Sequence, residues 1–293
     1  MELMNGKQVA SEIRAGIARD VARSIDDFGI SPHLAAVLVG EDPASETYVK
    51  NKEKACQEVG ITSSVYKYPS GLSEKELLKV IDFINRDEDI HGLIVQLPLP
   101  DHISSPKIIQ AIDPAKDVDG FHPLNIGRMV QGMPAYLPAT PYGIIKLLEY
   151  YHIETEGKHC VVLGRSNIVG TPVSILLSRK CYPGNCTVTL CHSKTRHLEE
   201  LCRQADILIA AIGQPHFVKG DMVKPGAVVI DVGMHRIQDP SKATGHHLTG
   251  DVDFDQVSKK SEYITPVPGG VGPMTIVALL NNTLKAFNKE IYP

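Results

Sequence analysis

The segment after Gly40 carries a tyrosine and a lysine at a spacing that suits chemistry on one helix face. Tyr48 and Lys52 are four residues apart on a predicted helix, and residues at that spacing are neighbours on the helix surface. A lysine that is partly shielded from water can exchange protons near neutral pH, so Lys52 is a candidate catalytic residue. Charged residues on helices more often form a solvated surface, and the spacing alone leaves both interpretations open.

Further polar positions follow apolar segments or occupy loops. Gln96 closes the apolar run Leu93–Val95, where a polar side chain can face a ligand or simply solvent. Asp117 and Asp119 form an acidic pair in a loop that ends at Gly120. A carboxylate at this place can accept hydrogen bonds from a ligand, or it can close a turn of its own backbone. Gln96 and Asp119 join Lys52 as active-site candidates.

Residues 160–172 have the layout of a phosphate-binding strand, turn and helix. An apolar run stops at Gly164, and a helix is predicted to begin within the next few residues. Gly164 allows a tight turn, Gly170 lets the helix approach the strand, and free amides at the start of the helix attract a pyrophosphate. Ser166 stands where the fuller motif has its second glycine, so an ordinary strand–loop–helix corner is also compatible with this segment.

Four more strands are predicted after this turn, and several of them are nearly continuous apolar runs. Such runs indicate strands of a parallel sheet that helices cover on both faces. Glycines such as Gly213 and Gly233 follow the strand ends, at the edge where open α/β sheets bind ligands. The predicted strands cover residues 187–191, 205–212, 227–232 and 263–265.

The first half of the chain has its own alternation of helices and strands, so we expect a separate α/β domain there. Pro138 and Pro141 flank the predicted boundary. The prediction is one domain of residues 1–138, a second of residues 139–273, and a final helical segment, 274–293, that rejoins the first domain. In the first domain, helices 7–28 and 45–59 alternate with strands 34–39, 64–68 and 91–96.

Composition and charge exclude several classes of protein. The 293 residues carry a net charge of −4 without a basic stripe, which argues against nucleic-acid binding. No apolar run is long enough to span a membrane, and the first residues lack the features of a signal peptide. Six cysteines without a secretory signal indicate reduced thiols and a cytoplasmic protein. The spacing of Cys181, Cys186, Cys191 and His192 is not that of a zinc site, so we predict no metal.

Five motifs occur in order along the chain: Tyr48-Val49 with Lys52, Lys54 and Gly60-Ile61; Gly92 to Pro100; Lys116 to Pro123; Gly164-Arg165-Ser166 with Val169-Gly170 and Pro172; and Pro268 to Thr275. The last of them, Pro-Gly-Gly-Val-Gly-Pro-Met-Thr, is the most specific. Together they resemble the bifunctional methylenetetrahydrofolate dehydrogenase/cyclohydrolase family of bacterial type. The similarity covers almost the full length of the chain.

This resemblance implies two α/β domains flanking a cleft, the C-terminal one a Rossmann-like NAD(P)-binding domain. It implies oxidation of 5,10-methylenetetrahydrofolate to the 5,10-methenyl form, then hydrolysis to 10-formyltetrahydrofolate, by a homodimer. The family pattern makes Lys52 the catalytic lysine, Gln96 its hydrogen-bonding partner and Asp119 the residue that holds the pterin. The pattern also places Tyr48, Ser45, Pro268, Gly269 and Gly270 at the substrate, and Gly164, Arg165, Ser166, Ser193, Gly233 and Met234 at the cofactor.

The cofactor is predicted to be NADP. The predicted strand 187–191 is followed by Ser193 and basic residues, whereas NAD sites typically have an acid there for the ribose 2′-hydroxyl. Arg165 offers a planar fork that suits a phosphate. The chain departs from the family pattern at Ala139, where cysteine is common, at Met234, where isoleucine is frequent, and in a longer segment 179–185. Two alternatives remain: another two-domain NAD(P)-dependent dehydrogenase of a small acid, and a nucleotide-binding regulator that has lost catalysis.

Overall fold

The computed structural model describes residues 1–241 and 245–293, which form two compact units. Residues 1–11 and 140–275 make up the six-stranded unit, and residues 12–139 and 276–293 make up the three-stranded unit. The described strands are β1 (Glu2–Leu3), β2 (His33–Val39), β3 (Thr62–Tyr68), β4 (Gly92–Val95), β5 (His159–Leu163), β6 (Thr187–Cys191), β7 (Ile207–Ala210), β8 (Val228–Asp231), β9 (His235–Gln238), β10 (His246–Thr249) and β11 (Tyr263–Ile264). The described α-helices are α1 (Gly6–Phe28), α2 (Pro43–Val59), α3 (Glu74–Arg86), α4 (Ser105–Ala111), α5 (Pro123–Val130), α6 (Ala139–Tyr150), α7 (Gly170–Ser178), α8 (Leu198–Gln204), α9 (Phe254–Val257) and α10 (Val271–Phe287).

The main sheet of the six-stranded unit is parallel throughout, in the order β1-β11-β8-β7-β5-β6. The chain changes direction across the sheet at β5, because β6 is added on one side of β5 and β7 on the other. Parallel sheets bind ligands at such a switch point, in the crevice outside the carboxyl ends of the strands. A separate antiparallel hairpin of β9 and β10 follows β8 in the chain.

Strand β5 shows why this sheet is buried on both faces. Val161 and Leu163 belong to a core cluster with Leu208 of β7, and Cys160 and Val162, which point the other way, are also fully buried. Both alternating sets of side chains are therefore apolar. This is the pattern of a parallel sheet that is covered on each side.

In the three-stranded unit, β2 is the central strand and pairs in parallel with β3 and β4. Ala35 and Val37 of β2 share a core cluster with Leu77, Ile81 and Ile84 of α3. These three α3 residues recur at helical spacing and are buried, so α3 is an amphipathic helix that covers one face of the sheet. The core leaves the carboxyl ends of β2 and β4 side by side, with Val37 opposite Val95.

The structure confirms the predicted α/β class with parallel sheets. The predicted division leaves residues 1–11 with the first domain, whereas in the structure they belong to the six-stranded unit, because β1 pairs in parallel with β11. A two-residue strand has too little periodicity to be recognised in a sequence. Helix α10 begins at Val271 rather than at the predicted Met274. In the described part of the chain, no helix combines the length and apolar character needed to cross a membrane.

Candidate functional site

Helix α2 carries two of the candidate residues and has well-defined ends. Asp42 caps the N-terminus by accepting a hydrogen bond from the Ser45 amide at 2.8 Å, and Gly60 ends the helix in the left-handed conformation. Tyr48 is exposed and Lys52 is half-buried. Since the helix is regular between the caps, these two side chains share one face.

Lys52 and Gln96 are joined by a hydrogen bond from the ammonium to Oε1 at 3.2 Å. Gln96 is the first residue after β4, and its backbone amide donates to the Val37 carbonyl at 2.9 Å. Its side-chain Nε2 donates to the Leu97 carbonyl at 2.7 Å, which leaves Oε1 to accept from Lys52. Gln96 therefore fixes the position of the ammonium without giving it a counter-charge.

The loop between α4 and α5 gives its two aspartates different roles. Asp117 is buried, and its carboxylate accepts hydrogen bonds from the amides of Phe121 and His122 at 3.2 and 2.8 Å and from Asn125 Nδ2 at 2.9 Å. Burial raises the pKa of Asp117 to about 7, although the hydrogen bonds oppose the rise. Of the two aspartates in this loop, Asp117 is therefore the one that closes the turn.

The Asp119 side chain is half-buried and forms no hydrogen bond with another described residue. Desolvation raises the pKa of its carboxyl, and the positive charge of the neighbouring Lys52 opposes that rise. Both oxygens of this carboxylate therefore keep their capacity to accept hydrogen bonds from a ligand. The structure thus brings Lys52, Gln96 and Asp119 together within the three-stranded unit.

The loop that carries Asp119 is held from two sides. The Leu93 amide of β4 donates to the Lys116 carbonyl at 2.7 Å, which ties the start of the loop to the strand. Asn282 of α10 is buried and donates to the Val118 carbonyl at 2.9 Å. Because its flanking residues are fixed in this way, Asp119 is held in place by backbone contacts rather than by its own side chain.

The remaining predicted substrate residues lie in other surroundings. Ser45 is buried in the first turn of α2, where its hydroxyl forms a hydrogen bond with Asp42. Pro268, Gly269 and Gly270 lie in the six-stranded unit, in the loop that precedes α10, and the Gly269 carbonyl accepts a hydrogen bond from the Lys7 amide at 3.1 Å.

The turn after β5 requires its two glycines. Gly164 has a φ of +103°, and a Cβ there would lie 2.0 Å from the Ala211 carbonyl oxygen. A Cβ on Gly170 would lie 1.8 Å from the Gly164 carbonyl oxygen, so α7 packs directly against the turn. The Ser166 hydroxyl accepts a hydrogen bond from the Val169 amide at 3.1 Å. Ser166 therefore closes the turn internally, and this amide is not the open donor that the motif predicts.

A pocket of about 510 Å³ lies at the carboxyl ends of β5, β6 and β7. Arg165, which follows β5, and Ser193, which follows β6, both line it and are both exposed. The Arg165 guanidinium has no ion-pair partner among the described residues, and none of the lining side chains is acidic. The pocket occupies the switch point of the sheet and presents a cation, so it suits a phosphate-bearing ligand.

Gly233 and Met234 directly follow β8. The Gly233 amide donates to Asp231 Oδ1 at 3.0 Å, and Met234 is partly exposed. Asp231 is buried at the end of β8, and burial raises its pKa to about 7. Sequence reasoning missed Asp231 and the buried Asp251, although an aspartate inside the apolar run 227–232 was a visible signal of a polar cluster.

No group of three or more His, Cys, Asp or Glu side chains in the described residues is arranged to hold a metal ion. All six cysteines are free thiols, of which Cys181 is exposed and the others are buried.

Two family descriptions together match most of the chain. The description "Tetrahydrofolate dehydrogenase/cyclohydrolase, catalytic domain" matches residues 4–119, and "Tetrahydrofolate dehydrogenase/cyclohydrolase, NAD(P)-binding domain" matches residues 138–291. The chain belongs to the tetrahydrofolate dehydrogenase/cyclohydrolase family. This confirms the resemblance that the five sequence motifs predict, and it confirms a nicotinamide-cofactor domain in the C-terminal part.

Individual relatives agree with this assignment to the tetrahydrofolate dehydrogenase/cyclohydrolase family. The bifunctional protein FolD of Bacteroides fragilis is 58% identical over 292 residues, which cover 100% of both chains. The crystal structure of the bifunctional methylenetetrahydrofolate dehydrogenase/cyclohydrolase of Campylobacter jejuni has a TM-score of 0.92 at 47% identity and covers 99% of both chains. The Trypanosoma brucei dehydrogenase-cyclohydrolase, solved with NADP and an inhibitor, has a TM-score of 0.93 at 37% identity, over 99% of this chain and 98% of that one.

Proposed function

We propose that this chain oxidises 5,10-methylenetetrahydrofolate with NADP and hydrolyses the 5,10-methenyltetrahydrofolate so formed to 10-formyltetrahydrofolate. In the first step a hydride leaves the methylene carbon. In the second step water adds to that carbon, its bond to N5 breaks and one proton is released. The observation that carries the proposal is the hydrogen-bonded pair of Lys52 and Gln96 beside the Asp119 carboxylate.

Lys52 is assigned the proton transfer of the hydrolytic step. Its Nζ can take a proton from the attacking water and return one to the departing nitrogen, which is general acid–base catalysis. Gln96 holds the ammonium through a neutral acceptor, so this hydrogen bond adds no negative charge to that of the neighbouring Asp119. The glutamine therefore positions the Lys52 ammonium through an uncharged contact.

Asp119 is assigned to the pterin ring, whose ring N–H and amino groups are donors that a carboxylate can accept. Tyr48 offers an aromatic face for the flat aminobenzoate. Pro268, Gly269 and Gly270 are proposed as further substrate contacts. Ser45 contributes by holding the N-terminus of α2, because its hydroxyl is bonded to Asp42.

NADP supplies the hydride acceptor when it is bound. The residues of the six-stranded unit suit this cofactor, since Arg165 and Ser193 line one pocket and offer a cation and a hydroxyl to the 2′-phosphate. The same pocket has no acidic side chain that would repel that phosphate. Gly164 and Ser166 form the turn at the pocket. We assign Gly233 and Met234, at the same strand edge, to the cofactor site as well.

Lys52→Met tests the catalytic assignment. Methenyltetrahydrofolate hydrolysis should fall by about 10²-fold or more, which is the usual contribution of a general acid–base group. Lys54→Met is the matched control. Lys54 lies on the same helix, but it is exposed and its ion-pair partner is Glu58, at 3.9 Å, on the helix surface. Circular dichroism should show both variants folded. Near-normal hydrolysis by Lys52→Met would overturn the assignment.

Arg165→Ala tests the cofactor assignment. The loss of a charge-assisted contact to the 2′-phosphate should lower kcat/KM for NADP by about 10- to 100-fold and leave kcat/KM for NAD unchanged. Arg196→Ala is the control, because Arg196 is exposed on the loop after β6 but does not line the pocket. A wild-type preference for NAD would refute the assignment.

We further propose that the chain forms a homodimer, as the family resemblance implies, and that it works in the cytoplasm. The free state of all six cysteines supports a reducing compartment. Light scattering should give twice the chain mass of 32.0 kDa. A monomer mass at micromolar concentration would refute the dimer.

A further inference from the structure

We propose that Asp251 is a positioning residue of the dehydrogenase step, which holds the loop after β7 as a wall of the NADP pocket. The loop consists of Ile212, Gly213 and Gln214, and its first and last residues line the pocket. Asp251 is far from this loop in sequence and follows β10 in the chain. The inference rests on the proposed assignment of the pocket to NADP.

The carboxylate of Asp251 is fully buried and accepts hydrogen bonds from three successive backbone amides. Oδ2 accepts from Ile212 at 2.6 Å and from Gly213 at 3.0 Å, and Oδ1 accepts from Gln214 at 2.9 Å. No backbone carbonyl of the described residues accepts from these three amides. The loop has left the sheet at this point, so this one side chain satisfies donors that strand pairing would otherwise satisfy.

The carboxylate of Asp251 also contacts the loop after β8. A Cβ on Gly233 would lie 2.5 Å from the Asp251 carboxyl carbon, so only a glycine allows the two to approach this closely. Asp251 therefore links the loops after β7 and β8, both of which lie at the carboxyl edge of the parallel sheet. Parallel sheets bind their ligands along that edge.

Two neighbours fix Asp251 itself. The Asp231 carboxylate accepts from the backbone amides of Asp251 and Val252 at 2.9 and 3.0 Å, which holds the backbone from which the Asp251 side chain extends. His235 Nε2 lies 2.7 Å from Asp251 Oδ1 and adds a fourth hydrogen bond to the carboxylate. A carboxylate with four partners on a fixed backbone has little freedom to move, so the loop that it binds is held in one conformation.

Asp251→Asn is the test, since it keeps the size of the side chain but leaves one acceptor oxygen for three amides. NADP affinity is measured by calorimetry on the full-length enzyme, and amide exchange is measured by mass spectrometry on peptides that span residues 211–215. The variant should bind NADP at least tenfold more weakly, and these amides should exchange faster. Methenyltetrahydrofolate hydrolysis without cofactor should remain near the wild-type rate, which a general loss of folding would not allow.

Asp253→Asn is the matched control, because Asp253 caps α9 and pairs with Lys219 without contacting the loop. If Asp251→Asn does not fold, His235→Leu takes its place, with an expected threefold loss of NADP affinity and faster exchange of the same peptides. Wild-type NADP affinity in a folded variant overturns the inference. If Arg165→Ala weakens NADP binding and Asp251→Asn does not, the positioning role fails alone; if neither does, the pocket assignment fails and the inference with it.

Discussion

Replacing the two neighbouring aspartates one at a time should separate folate binding from folding. The Asp119 carboxylate bonds no described residue, and burial raises the pKa of its carboxyl, so Asp119→Asn removes a desolvated charge and should not lower stability. The same change removes the charged acceptor that is proposed for the pterin donors. Hydrogen bonds to a charged group contribute about 1.5–3 kcal/mol, which corresponds to about a 10- to 150-fold loss of folate affinity.

Asp117→Asn should have the opposite effect. Asp117 accepts from two backbone amides and from Asn125, and an asparagine has a single acceptor oxygen and a donor group that would face another donor. Each buried donor that loses its acceptor costs about 1–3 kcal/mol. We therefore expect a loss of about 2–4 kcal/mol, with a melting temperature lower by roughly 5 °C or more.

The stability difference of Asp117→Asn should also depend on pH. The folded-state pKa of about 7 is above the ordinary value of 3.8, so protonation of Asp117 favours the folded state, and this contribution is full below about pH 4. That contribution is lost as the pH rises through about 7. The free energy of unfolding of the variant should therefore be further below that of the wild type at about pH 5.5 than at about pH 8.5.

The assays are calorimetric titration with a tetrahydrofolate analogue and scanning calorimetry, on both variants and the wild type. The expected pattern is weak folate binding with normal stability for Asp119→Asn, and low stability for Asp117→Asn. If Asp119→Asn lowers the melting temperature and leaves folate affinity unchanged, Asp119 is a turn residue and the proposed pterin contact is wrong.

Two further predictions follow from other contacts of the three-stranded unit. Gln96→Glu should lower hydrolysis at least tenfold at neutral pH, because the new carboxylate would form an ion pair with the Lys52 ammonium. An unchanged rate would contradict this reason. Burial, with the charges of His33 and Lys116, lowers the pKa of His91, whose Nδ1 accepts the His33 amide at 3.1 Å. Neutral His91 therefore contributes fully to the free energy of unfolding above about pH 6.5, and this contribution is lost as the pH falls. The free energy of unfolding, measured by urea titration, should therefore fall less between about pH 7 and pH 5 in His91→Gln than in the wild type.

The sequence predicted the long and strongly patterned elements of the fold. Strand β6 agrees with the prediction at both ends, and the ends of α1 and α2 differ by a residue or two, because capping residues and apolar periodicity are local properties. Helices α4 and α5, the hairpin of β9 and β10, and β1 were not predicted. These are short elements that are stabilised by tertiary contacts, such as the pairing of β1 with β11.

The candidate site shows the same limit. Lys52 and Gln96 were paired through a family resemblance, and the structure adds the Nε2–Leu97 hydrogen bond that orients the glutamine. The different roles of Asp117 and Asp119 could not be read from a loop in which both are followed by small or apolar residues. The cluster of Asp231, His235 and Asp251 joins residues up to twenty positions apart, and no local pattern connects them.

The distribution of these residues over the two units bears on how the two activities can be lost. Lys52 and Gln96 belong to the three-stranded unit, and Arg165 and Asp251 belong to the six-stranded unit. Hydrolysis of methenyltetrahydrofolate consumes water and no nicotinamide. A change that weakens only NADP binding should therefore leave the rate of hydrolysis unchanged. Arg165→Ala should therefore keep full hydrolysis of supplied methenyltetrahydrofolate while its dehydrogenase activity at low NADP falls. Equal losses of both rates in a folded Arg165→Ala enzyme would show that Arg165 acts on the folate rather than on the cofactor.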